Sequence, residues 1–186
     1  AVLSSCGIAR ESEGVEVGVT ERLAEFIVTL RYEDLPPKVV EAAKIAIMDG
    51  GANMLAGSRQ PLAGKVTQYL REMGGSPTNT VVGHPFKTNA VWAAFANGIF
   101  GHCLDFEIQG DPPTHGTSSC LPAAIALGES AHASGRRLIE AYVLGWEVQG
   151  RLRAATAGVT RRGFHPPGVV GPLGGAASAA KALGLD

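Results

Sequence analysis

Apolar residues recur at helical spacing through most of the chain, and this period restricts the fold more than any other feature. Thr20 suits a helix cap, and Leu23, Phe26, Ile27 and Leu30 then share one face, so residues 20–31 read as an amphipathic helix. Pro36 and Pro37 fit only a first turn, and Val39, Ala43, Ile47, Gly50 and Met54 follow on one face to about Gly57. A third helix is predicted over residues 62–73, stopped by Gly74 and Gly75. Longer helices are predicted over 89–104, 120–133, 138–157 and 170–183. Only residues 78–82 are short and β-branched, as in an extended connector or a lone strand. Seven helices and at most one strand make an all-α domain.

Composition narrows the function. The chain has 16 Lys+Arg against 17 Asp+Glu, a balance that excludes the basic footprint of a nucleic-acid binder or a polybasic membrane-surface protein. A hydrophobic content of 45% excludes wholesale disorder. Gly supplies 25 of 186 residues, well above the usual ~7%, while aromatics supply 6%. Such a core is built by close backbone approach. The small residues of 171–180 would let two helices pack closely, within the domain or across a dimer. The longest apolar run, 90–104, is broken by Asn97 and His102 and is too short to span a membrane. Cys6, Cys103 and Cys120 are odd in number with no CxxC, which points to a reducing compartment. Cys103 and Cys120 read as buried small residues. Residues 1–18 carry Glu11, Glu13 and Glu16 and lack the features of a signal or transit peptide, so they read as a mobile tail before a domain at 19–186. A cytoplasmic protein is expected, or one of the mitochondrial matrix if eukaryotic.

Two loops interrupt the helices with unusual chemistry. One runs from Asp105 to Ser119, the other from Arg161 to Gly168, and each carries a histidine into an apolar helix. His115 precedes Gly116, Thr117 and Ser118, where unpaired N–H groups and the helix dipole would attract an anion. A histidine there can exchange a proton near neutral pH. The plainer reading is a capping loop. His165 repeats the pattern, with Pro166 and Pro167 fixing the backbone, Gly168 permitting close approach, and Arg161 and Arg162 upstream. Alone, it reads as a rigid connector. Asp105 and Glu107 follow a helix C-terminus, where a carboxylate is unfavourable unless a partner such as a histidine holds it. His102 lies one turn before Asp105, in reach of it or satisfied in the core. His84 and His132 join no constellation. HExxH and comparable ligand spacings are absent, so no metal is expected; Cys103, Asp105, Asp111 and His115 are a poor imitation of a metal loop. GxSxG, Walker A and GxGxxG patterns are absent too.

The segments 96–106, 113–119, 121–129 and 164–171, with Asp49 and Leu55-Ala-Gly57 earlier, resemble the MmgE/PrpD family, which includes 2-methylcitrate dehydratase and cis-aconitate decarboxylase. Gly145-Trp-Glu-Val-Gln-Gly-Arg-Leu152 followed by Phe164-His-Pro-Pro is most similar to the decarboxylase branch. The resemblance covers residues 19–186 and implies the helical domain of that fold, without the lid domain and C-terminal part of members more than twice as long. It implies a homodimer, a small di- or tricarboxylate substrate and no cofactor. The family's loop aspartate falls on Asp105 and its histidines on His115 and His165, as catalytic residues; Gln109, Thr117 and Ser118 would meet the substrate. Gln109 and Ile108 stand where decarboxylases have a threonine and an aspartate, and His115-Gly-Thr replaces His-Pro-Ser. The family's active-site lysines and tyrosine lie further along its chains, and Lys181 matches none of them. The expected activity is a lyase using histidine acid/base chemistry, cis-aconitate decarboxylation first and 2-methylcitrate dehydration second. A non-catalytic helical binding module is the alternative of another class.

Overall fold

Proline and glycine set the helix boundaries, as the punctuation of the sequence requires. In the computed structural model, which describes residues 18–185, seven helices account for nearly all regular structure: α1 (Val19–Thr29), α2 (Pro37–Gly57), α3 (Pro61–Met73), α4 (Ala90–His102), α5 (Thr117–Ser130), α6 (Gly135–Ala155) and α7 (Pro166–Leu183). The all-α class is therefore as expected. The tail expected at the N-terminus lies outside the described residues, apart from Gly18. Pro37, Pro61 and Pro166 each occupy a first helical turn, where the missing N–H had no intrahelical partner to lose. α5, α6 and α7 begin about one turn earlier than the apolar period suggests, because their first turns are Thr-Ser-Ser, Gly-Arg-Arg and Pro-Pro-Gly. Polar and proline residues belong at an N-terminus but carry no apolar period.

The extended segment differs from expectation. Two two-residue strands, β1 (Asn79–Thr80) and β2 (Lys87–Thr88), pair antiparallel, Asn79 opposite Thr88. Their turn includes Gly83 at φ 76°, a conformation that suits glycine. Buried Asn79 anchors the hairpin by donating to the Ala126 carbonyl at 2.6 Å.

α5 is the centre of the fold and is touched by α2, α4, α6 and α7. Its Cys120, Leu121 and Ala124 are fully buried, and burial pushes the Cys120 thiol up to about 12, so it is chemically quiet. Cys103 departs from the sequence reading: it caps the end of α4 and is exposed. The small-residue run of α7 packs inside the chain, against α5 and α6. A Cβ on Gly174 would lie 2.9 Å from the Gly145 carbonyl, and one on Gly175 3.0 Å from the Ser119 carbonyl. Ser178, buried in the same contact, donates to the Ala141 carbonyl at 2.8 Å. Lys181 is a buried strut: its Nζ donates to the Val28 carbonyl at 3.0 Å and lies 3.5 Å from Glu140, tying α7 to α1 and α6. Among the described residues no helix is long and apolar enough to cross a membrane.

The glycines at these crossings are not equivalent. On Gly145 a Cβ would strike the Ser178 hydroxyl and lie 2.8 Å from both Cys120 Sγ and the Gly174 carbonyl, whereas on Gly150 it meets nothing within 4 Å. Gly145→Ala is therefore expected to lower stability by about 1–3 kcal/mol through overpacking. Gly150→Ala, in the same helix, should raise it by roughly 0.5–1 kcal/mol. Urea denaturation of the two variants checks the opposite signs.

Candidate active site

The segment 103–116, between α4 and α5, turns sharply at its start. Asp105 has φ 58°, a left-handed conformation that Asp tolerates better than most residues, and its N–H donates to the His102 carbonyl at 2.8 Å. This turn sends Phe106 outward and Glu107 inward: Phe106 is exposed, and Glu107 is buried. The Glu107 carboxylate meets the N-terminus of α5, where the Ser118 N–H donates to Oε2 and the Ser118 hydroxyl to Oε1, both at 2.6 Å. A buried carboxylate at that end gains from both the free N–H and the dipole.

Glu107 also binds two histidines. His115 Nδ1–H donates to Oε1 at 2.9 Å, and His102 Nδ1–H donates to the same oxygen at 3.1 Å. The two rings stand edge to face with centroids 4.6 Å apart. The His115 backbone is fixed from below, its carbonyl accepting from Ser119 Oγ at 2.8 Å and from Gln149 Nε2 at 3.1 Å. Gln149 is fully buried and also donates to Thr114 Oγ1 at 2.7 Å. Gly116 lies flat on the Trp146 indole, where a Cβ would collide with the ring. The close approach at Gly116 is thus to the protein's own tryptophan. Held through Nδ1, His115 turns Nε2 away from Glu107, to 3.4 Å from Gln109 Nε2 and 3.8 Å from Asp105 Oδ1.

The structure draws together Asp105, Gln109, His115 and His165. The His165 ring, at the N-cap of α7, stands 6.2 Å from that of His115 at an interplanar angle of 82°. Gln109 lies against His115, Nε2 to Nδ1 3.1 Å. Asp105 is 75% exposed and not the main support of His115; that is Glu107. Thr117 and Ser118, expected to meet the substrate, both have partners within the protein. Thr117 is buried and its hydroxyl shares a 2.8 Å hydrogen bond with Tyr142, while Ser118 is engaged by Glu107. Both anion positions at helix ends are also altered: α5 spends its Ser118 N–H on Glu107, and α7 opens with Pro166 and Pro167, which have no N–H, before Gly168 donates to His165 at 3.1 Å. Gly168 stands in the open, with nothing within 4 Å of a Cβ position. Arg161 and Arg162 are exposed on a short turn.

Sequence reasoning noted Glu107 and His102 but did not join them to His115, and it missed Gln149. The signal for Glu107 was its place after a helix C-terminus; its partner lay at the next helix start, which only the sharp turn at Asp105 reveals. A cavity of about 450 Å³ lies between α2, α6 and residues 108–114, with Tyr142, Trp146, Glu147 and Arg151 in its wall. Of the predicted site residues only Gln109 reaches it, and no histidine does. Burial holds the Glu147 carboxyl above the ordinary range against the opposing pull of Arg151. His84 packs on Phe86 and Phe100, and burial lowers its pKa.

Residues 21–186 match the model of the MmgE/PrpD N-terminal domain. The chain belongs to the MmgE/PrpD family. Over 175 residues it is 37% identical to the cis-aconitate decarboxylase of Mus musculus, and over 176 residues 38% identical to that of Homo sapiens. The enzyme of the same name from Aspergillus terreus is 30% identical over 176 residues. Each alignment takes in 90% of this chain and 36% of the relative, so the chain spans little more than a third of the length of these MmgE/PrpD proteins.

Removing Glu107 exposes how much it holds. Glu107→Ala leaves the half-buried Ser118 N–H and hydroxyl without their acceptor, a loss of about 1–3 kcal/mol in all. Glu107→Gln keeps one carbonyl oxygen for the Ser118 N–H and should lose less. Thermal denaturation of the two variants should rank them in that order.

Proposed function

We propose that this chain supplies the histidine face of a lyase active site that takes a small di- or tricarboxylate, with decarboxylation of cis-aconitate to itaconate and CO2 as the reaction. The observation that carries this reading is the His115–His165 pair: two imidazoles from different loops, 6.2 Å apart, one of them braced by a buried carboxylate. The names of the relatives supply the reaction; the braced pair supplies a means of moving its proton.

Decarboxylation breaks one C–C bond and releases CO2. The electron pair left behind shifts the double bond, and the carbon at the far end of the allylic system takes a proton. An imidazolium delivers that proton and recovers one from solvent, so no redox partner enters the balance. Positioned acid–base groups of this kind contribute typically ~10²–10⁴-fold. His115 is suited to it because Glu107 fixes the Nδ1–H tautomer and aims Nε2 outward, as a carboxylate does for the histidine of a catalytic triad. His165 faces it from the α7 end and, when protonated, attracts a substrate carboxylate. In this reading Asp105 beside Nε2 stabilises the charged imidazole, and Gln109, whose Nε2 rests against the His115 ring, turns to donate to a carboxylate oxygen.

The test is an assay of the complete polypeptide that carries this chain. His115→Ala and His165→Ala should each lower kcat on cis-aconitate by about 10²-fold or more, with the helical circular dichroism unchanged. Full activity in both variants would overturn the reading. Turnover of 2-methylcitrate in place of cis-aconitate would reassign the reaction within the same site.

A further inference from the structure

His102, Glu107 and His115 present three ligand atoms, two imidazole nitrogens and one carboxylate oxygen, that all lie within 4.8 Å of one another. We propose that they form a site for one divalent first-row transition ion, of which Zn²⁺ is the natural occupant. The proposal goes beyond the lyase reading and does not depend on it.

The donor set is the first reason. Two histidines and one carboxylate are a recurrent ligand set for Zn²⁺, leaving a fourth position to water or a ligand. The distances are the second. A tetrahedral centre with bonds of ~2.0–2.2 Å needs ligand atoms about 3.3 Å apart, and Glu107 Oε1 lies 2.9 Å from His115 Nδ1 and 3.1 Å from His102 Nδ1. His102 is exposed, so its ring can turn to close the third edge without disturbing the core.

The third reason is a conflict among protons. Glu107 Oε1 is approached by three donors, the two imidazoles and the Ser118 hydroxyl, yet an oxygen offers two lone pairs. Gln109 Nε2 lies 3.1 Å from His115 Nδ1 and 3.4 Å from Nε2, so its amide is satisfied at Nε2 and adds no conflict at Nδ1. A cation between the imidazoles and the carboxylate removes the crowding at Oε1 by replacing two imidazole protons at once.

The surroundings complete the case. Metal-bound histidines usually have a carboxylate or carbonyl near their second N–H, and the exposed Asp105 carboxylate, 3.8 Å from His115 Nε2 and beyond hydrogen-bond length, acts there through its charge. Glu107 is held in turn by Ser118. Bound there, the ion would occupy the nitrogen through which Glu107 braces His115, so metal and proton would compete for one histidine.

The test is calorimetric titration of the chain with ZnCl₂, paralleled by optical titration with Co²⁺. One ion per chain and a tetrahedral Co²⁺ spectrum are expected. His102→Ala and His115→Ala should each weaken binding by about 100-fold or more, since loss of even an outer partner costs about 10–100-fold. Cys6→Ser/Cys103→Ser should bind as the parent does. Absence of saturable binding, undiminished binding in His102→Ala with helical circular dichroism retained, or loss of binding in the cysteine variant would each overturn the proposal. Because the readout is affinity, these results stand apart from those of the turnover assay.

Discussion

The Glu107 carboxylate on the first turn of α5 is the contact from which the site is organised. A helix that begins in the middle of a protein leaves its first N–H groups without partners, and something must answer them. Here the answer comes from Glu107, eleven residues before Ser118 in the chain, through a turn that only a residue tolerant of left-handed geometry can make, and Asp105 is such a residue. Once the carboxylate is buried there, its remaining lone pairs are a fixed target for nearby imidazoles. The position of His115 is thus a consequence of satisfying a helix end.

α5 can play this part because it is packed among α2, α4, α6 and α7. Its neighbours α6 and α7 approach closely at Gly145, Gly174 and Gly175, and buried polar groups cross-link them: Ser178 to the Ala141 carbonyl, and Gln149 to Thr114 and the His115 carbonyl. Gln149 joins the two roles. It is a core residue by burial and a site residue by contact, so the helical packing and the histidine geometry cannot vary independently. Lys181 belongs to the same framework at the far end of α7.

The helices were legible in the sequence because their information is local. Val39, Ala43, Gly50 and Met54 mark a face whatever lies opposite, and Pro37 or Gly74 marks an end through its own backbone. The hairpin was not legible, since two residues per strand carry no alternation, and Asn79 is defined by a carbonyl on α5. In the candidate site, the histidines and Asp105 stood out by type and position. Which acid supports His115 depended on a backbone angle at Asp105, and the inward turn of Thr117 depended on Tyr142, 25 residues away. Family resemblance pointed to the segment; only geometry distinguishes a hydroxyl that faces the core from one that faces a ligand.

The proline pair at the start of α7 has a consequence for traffic at this surface. Most helix ends that attract anions do so with amide hydrogens, which both draw the charge and grip it. Pro166 and Pro167 remove two of those hydrogens and weaken the field with them, because the positive end of a helix resides on its free N–H groups. The start of α7 therefore offers an anion a poorer backbone cradle than an ordinary helix end, and leaves the exposed His165 ring as the group that must do the binding there.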